Sequence, residues 1–240
     1  MNTQKNDQIP KREDIWLLRK KLVRWFRNNK REYPWRHTED PFKFLIAEIM
    51  LRRTKADQVK PVYENFFKKF PNIKSIISAD INTINNILYP LGLNKRYSKV
   101  IMLAEALLEH HNCRLLLKRA ELKKLPGIGD YSAGALLSIV YKKREWIVDN
   151  NVVRLFSRYF GIKLRGEGRR DNKIISIAKE YISKGDPKKS NLALLDFSAL
   201  ICQPKSPKCK SCLLKELCFY YKNFKNYNQP NNKLKVINIV

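Results

Sequence analysis

Apolar residues recur at helical spacing along most of the chain, and the alternating segments typical of β-strands are missing. Ile15, Leu18 and Leu22 predict a first amphipathic helix. Asp40-Pro41 predicts the N-cap and first position of a second helix, which runs to Met50. We therefore expect an all-α protein. Further helices are predicted near residues 59–70, 73–78, 83–89, 95–110, 115–122, 131–141, 151–160, 172–183 and 191–200.

The charge balance narrows the class of partner. The 240 residues include 49 Lys and Arg against 22 Asp and Glu, which gives a net charge of +27. Such an excess favours a polyanion, because Lys and Arg release counterions from phosphates when they bind. A hydrophobic content of 44% allows a sizeable core and argues against global disorder. Charge alone does not distinguish DNA from RNA as the partner.

The first residues of the chain and the number of cysteines bear on the cellular location of the protein. Residues 1–10 are polar and lack the apolar run of a secretory signal, and no stretch approaches the length of a membrane span. We expect an intracellular, cytoplasmic and nucleoid-associated monomer, in which cysteines stay reduced unless a metal holds them. Cys113 is expected to be a packing residue.

The other four cysteines form a C-x6-C-x2-C-x5-C pattern, at Cys202, Cys209, Cys212 and Cys218. Four thiolates suit zinc or a [4Fe–4S] cluster, and two disulfides are a third alternative, disfavoured by an intracellular setting. Zinc sites usually pair two C-x2-C knuckles, whereas this segment has one. The spacing resembles the iron–sulfur loop of endonuclease III-like and MutY-like glycosylases, which implies a [4Fe–4S] cluster. Interleaved lysines, among them Lys208 and Lys210, are predicted to face DNA phosphates.

A glycine-rich turn separates two predicted helices at Leu125-Pro126-Gly127-Ile128-Gly129-Asp130. Paired glycines permit a tight turn and let a phosphate approach the amides that start the next helix. An ordinary helix–helix turn is the simpler interpretation of the glycines alone. The longer run through Ala135 resembles the helix-hairpin-helix signature of base-excision DNA glycosylases. That resemblance implies DNA contacts at Gly127, Ile128, Gly129, Asp130 and Ser132.

Asp149 lies in the segment Val-Asp-Asn-Asn-Val-Val-Arg. By itself it predicts the N-cap of the following helix. The segment also resembles the catalytic-aspartate region of the same iron–sulfur DNA glycosylases, and the resemblance extends over residues 14 to 220. It implies an enzyme that hydrolyses N-glycosyl bonds, in which the Asp149 carboxylate stabilises an oxocarbenium-like sugar and activates water.

Two more candidate catalytic residues follow from the resemblance. Bifunctional relatives carry a lysine where this chain has Tyr131, so a monofunctional enzyme without strong lyase activity is expected. Glu48 lies on an otherwise apolar helix, where an unpaired charge is costly. It is either a helix-edge glutamate paired with an arginine or, as in the relatives, a base-pocket residue that orients or protonates the departing base.

The choice of base rests on the segment Leu51-Arg52-Arg53-Thr54, which resembles Mig-type G·T mismatch thymine glycosylases more than the Leu-Gln-Gln-Thr of MutY types. Gly92-Leu93-Asn94-Lys95 also departs from the MutY pattern, and the roughly twenty residues after Cys218 lead us to expect no further MutY domain. We expect removal of thymine, and also uracil, opposite guanine, with Arg52 or Arg53 filling the vacated space or contacting the guanine. The alternatives are a MutY-type adenine glycosylase acting on A·8-oxoG or A·G, and a non-catalytic DNA-binding module.

The resemblance implies two helical lobes that flank an active-site cleft. A helical barrel domain with the hairpin is expected over residues 31–143. Residues 1–30 together with 144–220 are expected to form the iron–sulfur cluster domain, and residues 221–240 a basic, loosely ordered tail.

Overall fold

The computed structural model describes residues 9–92, 96–111, 117–164 and 166–227. All regular secondary structure within these ranges is helical and no strand occurs there, which confirms the all-α prediction. None of the helices in these ranges is long and apolar enough to cross a membrane. The α-helices are α1 (Arg12–Asn29), α2 (Pro41–Met50), α3 (Ala56–Lys69), α4 (Ile73–Ile77), α5 (Ile81–Leu88), α6 (Arg96–His111), α7 (Arg119–Leu122), α8 (Asp130–Ala135), α9 (Asn150–Phe160), α10 (Asn172–Ile182), α11 (Pro187–Leu200) and α12 (Phe219–Tyr227).

The chain divides into two compact units by its internal contacts. We call Glu32–Lys143 the hairpin unit, because it contains the glycine-rich turn. Met1–Arg31 together with Arg144–Val240 forms the cysteine unit, which contains Asp149 and the four-cysteine segment.

The hairpin unit is organised around α2. The Asp40 carboxylate accepts from the Phe42 amide at 2.9 Å and the Lys43 amide at 3.3 Å, and Pro41 supplies the preset first helical position. All residues of α2 from Phe44 onward are buried. The helix packs against α6 and against a π-helical segment, Leu136–Val140, that continues α8. An almost wholly apolar helix thus forms the centre of this unit.

The cysteine unit is built on the pairing of α1 with α11 and α10. The fully buried Asp196 carboxylate on α11 accepts from the Arg31 amide at 3.0 Å and from Arg31 Nε at 2.6 Å. A buried carboxylate needs such charge-assisted partners. Helix α9 packs against α11 and α12, and this places its residues beside the cysteine segment.

Three segments differ from the pattern-based prediction. Helix α11 begins at Pro187, earlier than expected, because Asp186 caps it by accepting from the Lys189 amide at 2.8 Å. Only Arg119–Leu122 is helical in the described part of the segment predicted over 115–122, and Cys113 lies outside the described residues. Helix α12 takes in residues 221–227, which the pattern placed in the tail; residues 93–95 and 228–240 also lie outside the described residues.

Candidate functional site

The glycine-rich turn forms a hairpin between α7 and α8. Gly127 adopts the left-handed conformation, with φ +78°, which favours glycine. The Ile128 amide donates to the Leu125 carbonyl at 3.1 Å, and the Ile128 side chain is buried, so this side chain packs into the unit and is not presented to a ligand. Gly129 precedes α8 and a Cβ there would meet nothing within 4 Å. The first amides of a helix lack intrahelical acceptors, so this end of α8 is suited to an anion.

Basic side chains surround the hairpin. Arg52 donates from Nη2 to the Gly127 carbonyl. A Cβ placed on Gly127 would also lie 3.8 Å from the side chain of Lys99 on α6. Lys123 pairs with the Asp130 carboxylate at 2.9 Å, and Arg119 donates to the Asp130 carbonyl at 2.6 Å. Sequence reasoning missed Lys99, because its approach to the turn depends on the packing of α6 and no local motif marks it.

Arg53 follows Arg52 but differs from it in environment. It is exposed and has φ 55°, the left-handed region that a residue with a Cβ seldom occupies. The neighbouring Thr54 hydroxyl donates to the Leu91 carbonyl at 3.2 Å. Strained backbone of this kind clusters at sites of ligand contact. The turn therefore holds Arg52 toward the hairpin and presents Arg53 to solvent.

The structure brings Glu48 and the start of α8 together within the hairpin unit. Glu48 is 8% exposed, and the buried Ser132 hydroxyl donates to Glu48 Oε2 at 3.4 Å. Tyr131, one residue earlier, is half-buried. The Ser132 hydroxyl thus faces Glu48, and the predicted contact of Ser132 with DNA stays a prediction. A buried carboxylate beside a hydroxyl is an arrangement that can hold or transfer a proton.

Asp149 caps α9 in the cysteine unit. Its Oδ1 accepts from the Val152 amide and its Oδ2 accepts from the Asn151 side-chain amide, each at 2.8 Å. One hydrogen bond on each oxygen fixes the plane of the half-buried carboxylate, and the helix N-terminus favours its negative charge. The residue has the N-cap geometry expected from sequence together with the fixed orientation that a catalytic carboxylate requires.

Arg154 links this cap to the cysteine segment, and sequence reasoning missed it. Its Nη2 donates to Asn151 Oδ1 at 2.9 Å and to the Ser198 carbonyl at 2.8 Å, while Nε donates to the Cys202 carbonyl at 2.7 Å. Burial lowers the pKa of Arg154, although an arginine remains charged in proteins. The only signal in the sequence is a basic residue on a helix that is otherwise largely apolar.

The four cysteines of the segment line a single cavity together with residues of α9 and α11. All four are free thiols, and burial raises the pKa of Cys212 to about 11 and also raises the pKa values of Cys209 and Cys218. Thiolates are the ligand form, so a bound metal would have to offset this preference for the protonated state. Among the described residues no three His, Cys, Asp or Glu side chains are spaced as ligands of a single metal ion.

The lining of this cavity fits a negatively charged, sulfur-ligated centre. Arg158 lines it and is 7% exposed, and its Nε has no hydrogen-bond partner among the residues that the structure describes. An unpaired buried N–H is unfavourable, and an anionic group in the cavity would pair it. The surrounding loop is basic: Lys205, Lys208 and Lys210 are exposed.

Comparisons with known proteins agree with this geometry. The family model described as "HhH-GPD superfamily base excision DNA repair protein" matches residues 46–196. The chain is 34% identical to the thymine/uracil-DNA glycosylase of Methanothermobacter thermautotrophicus over 83% of this chain and 91% of that protein. It is 35% identical to the thymine-DNA glycosylase of Aeropyrum pernix, over 87% and 96% respectively. The solved structure of a thermostable thymine-DNA glycosylase superposes with a TM-score of 0.80 at 32% identity, covering 88% of this chain and 98% of that one.

Proposed function

The chain belongs to the HhH-GPD superfamily of base excision DNA repair proteins, and we propose that it is a DNA glycosylase that removes thymine, and also uracil, mispaired with guanine in double-stranded DNA. The observation that carries the catalytic part is the Asp149 carboxylate, held at the start of α9 by one hydrogen bond on each oxygen. The choice of base is supported by the similarity to thymine and thymine/uracil glycosylases over most of the chain.

Asp149 is the proposed charge-stabilising residue. Cleavage of the N-glycosidic bond leaves positive charge on the sugar, and a fixed anion near the anomeric carbon stabilises it without having to reorganise. The hydrogen bonds from Val152 and Asn151 supply that fixed orientation. The same carboxylate is proposed to orient the water that attacks the sugar.

Glu48 is the proposed partner of the departing base. The base leaves with negative charge, so a proton or a hydrogen bond supplied at Glu48 Oε lowers the barrier to cleavage. The Ser132 hydroxyl, at 3.4 Å from Oε2, keeps that carboxyl group oriented. A target base reaches such a buried group only after it has been flipped out of the stack, and a mispaired base costs less to extrude than a paired one.

Tyr131 occupies the position from which a lysine would attack the sugar in a bifunctional relative. A phenol cannot form a Schiff base, so the proposed enzyme releases the base and leaves an intact abasic strand. DNA contacts are proposed from the Gly127–Gly129 main chain, from Asp130 at the start of α8, and from the exposed Arg53, Lys208 and Lys210.

A [4Fe–4S] cluster is proposed as the group held by Cys202, Cys209, Cys212 and Cys218. The four thiols around one cavity and the buried guanidinium N–H of Arg158 support it over a pair of disulfides. The proposed role of the cluster is structural, to hold the basic loop in shape. Brown protein with about four irons per chain is expected, and a colourless protein with one stoichiometric zinc after anaerobic purification would contradict the cluster.

The test of the activity is a panel of duplexes that differ at one base pair, incubated with excess enzyme and split into samples with and without hot alkali. Strand breaks at thymine or uracil opposite guanine are expected only after alkali, since alkali cleaves the abasic site. Matched A·T is the control substrate. Release of adenine from A·8-oxoG or A·G without thymine release would favour the adenine glycosylase, with which Glu48 and a tyrosine at position 131 are also compatible. Binding without release of any base would favour a non-catalytic module.

A further inference from the structure

Arg158 on α9 contacts the chain directly after the first cysteine of the quartet. Its Nη1 donates to the Gln203 carbonyl at 2.6 Å, and its Nη2 donates to the Pro204 carbonyl at 2.8 Å. Two hydrogen bonds from one planar group to consecutive carbonyls fix the direction in which the loop leaves Cys202.

The same side chain contacts the chain directly after the last cysteine. The Arg158 guanidinium carbon lies 4.9 Å from the centroid of the Tyr220 ring, two residues beyond Cys218. Cys218 Sγ lies 3.6 Å from the Arg158 carbonyl oxygen. Residues 202–204 and 218–220, the two ends of the cysteine loop, therefore meet on one arginine.

The guanidinium also lies beside the cysteines themselves. Nη1 lies 3.8 Å from Cys202 Sγ, and Nε is the buried donor without a partner among the described residues. Arg158 is 7% exposed, so water has little access to it. The charge of such a buried cation needs an anionic counterpart, and the Cys202 sulfur, 3.8 Å from Nη1, would supply one as a thiolate.

We propose that Arg158 is a positioning residue that closes the cysteine loop at both ends and donates hydrogen bonds to the sulfur of the centre held there. The inference rests on the proposed metal centre. The planar shape of the Arg158 guanidinium, as well as its charge, then helps to retain that centre. Lysine would keep the charge but has no planar fork for two carbonyls and no flat face for the Tyr220 ring.

The test compares the full-length wild type, Arg158→Lys and Arg169→Lys, all purified anaerobically. Arg169 is the matched control, an exposed arginine of the same unit that pairs with Glu167. Iron per chain is measured first, and then the rate at which visible absorption is lost in excess chelator. Loss about 10- to 100-fold faster in Arg158→Lys is expected, because removal of an outer-shell partner typically lowers metal affinity by that factor. A blue or red shift of the visible band before chelation is expected as well, because a donor to sulfur has been removed.

Two substitutions of Tyr220 form a second pair of variants. They test the role of Arg158 if Arg158→Lys does not fold. Tyr220→Phe keeps a ring for the guanidinium and is expected to retain iron like the wild type, whereas Tyr220→Leu is expected to lose it faster. Far-ultraviolet circular dichroism before chelation checks that the helices are intact in each variant. Wild-type retention in both Arg158→Lys and Tyr220→Leu would overturn this inference. A wild-type protein without iron would instead contradict the proposed cluster itself.

Discussion

The guanidinium of Arg154 donates from Nε to the carbonyl oxygen of Cys202 over 2.7 Å. Its Nη2 donates to Asn151, which in turn donates to Asp149 Oδ2 at 2.8 Å. The proposed catalytic carboxylate is therefore connected to the first cysteine through two side chains. A change in the conformation of the cysteine segment can therefore alter the orientation of the Asp149 carboxylate through these hydrogen bonds.

Replacement of Arg154 by glutamine is expected to slow base release by about 10- to 100-fold, as for other outer-shell residues. The Cys202 and Ser198 carbonyls lose a charged donor, and Asn151 loses the group that orients its amide. Single-turnover release from a G·T duplex measures the effect, with Arg170→Gln as the control, since Arg170 is 86% exposed in the same unit. A rate equal to that of the wild type would show that the connection has no bearing on catalysis.

Asp149→Asn separates the two roles of Asp149. Asparagine is as good an N-cap as aspartate, so the hydrogen bond to the Val152 amide and the start of α9 are preserved. The negative charge is lost, and base release is expected to fall by at least about 10²-fold while mismatch binding persists. Asp149→Ala is the comparison variant, because it removes the cap as well and is expected to lower the free energy of unfolding by about 1 kcal/mol. Full activity in Asp149→Asn would exclude the proposed mechanism.

Local chemistry explains what the sequence predicts well. Asp40 before a proline and Asp149 before an apolar stretch are N-caps in the structure, since a cap depends on amides only two or three residues away. Asp186-Pro187 carries the same signal and fixes the true start of α11. Gly127 adopts the left-handed conformation, which is compatible with the tight turn expected from the paired glycines.

The site residues that could not be predicted from the sequence depend on long-range contacts. Lys99 reaches the hairpin from α6, and Arg154 and Arg158 reach the cysteine segment from α9 across more than forty positions of sequence separation. No local pattern encodes such a separation. Ser132 also makes a long-range contact. Its hydroxyl faces Glu48, which lies 84 positions earlier in the chain, while its contact with DNA stays a prediction.

Tyr131 predicts the outcome of a trapping experiment. Borohydride reduces a Schiff base to a stable adduct, and the unmodified enzyme is expected to give none with a G·T or G·U duplex. Tyr131→Lys places an amine at the position used by bifunctional relatives and is expected to give a trapped adduct and strand cleavage without alkali. Denaturing gel electrophoresis detects both. An adduct with the unmodified enzyme would identify another lysine as a nucleophile and end the monofunctional assignment.

Substitutions of Arg52 and Arg53 are expected to change the stability of the protein in opposite directions, because Arg52 is hydrogen-bonded to the hairpin and Arg53 is exposed. Arg53→Gly removes a side chain from the left-handed region, which relieves about 1–2 kcal/mol of strain, and adds chain entropy to the unfolded state of about 0.5–1 kcal/mol. The free energy of unfolding should therefore rise by up to about 1.5 kcal/mol. Release of thymine falls, because the proposed contact with the guanine or the vacated space is lost. Lys142→Gly is the matched control, since Lys142 is also exposed with φ 53° and is expected to gain stability without loss of activity.

Arg52→Ala should instead lower both stability and activity, because the Gly127 carbonyl loses its donor. Chemical denaturation and single-turnover release measure the two quantities, and an active Arg53→Gly would assign the DNA contact to Arg52.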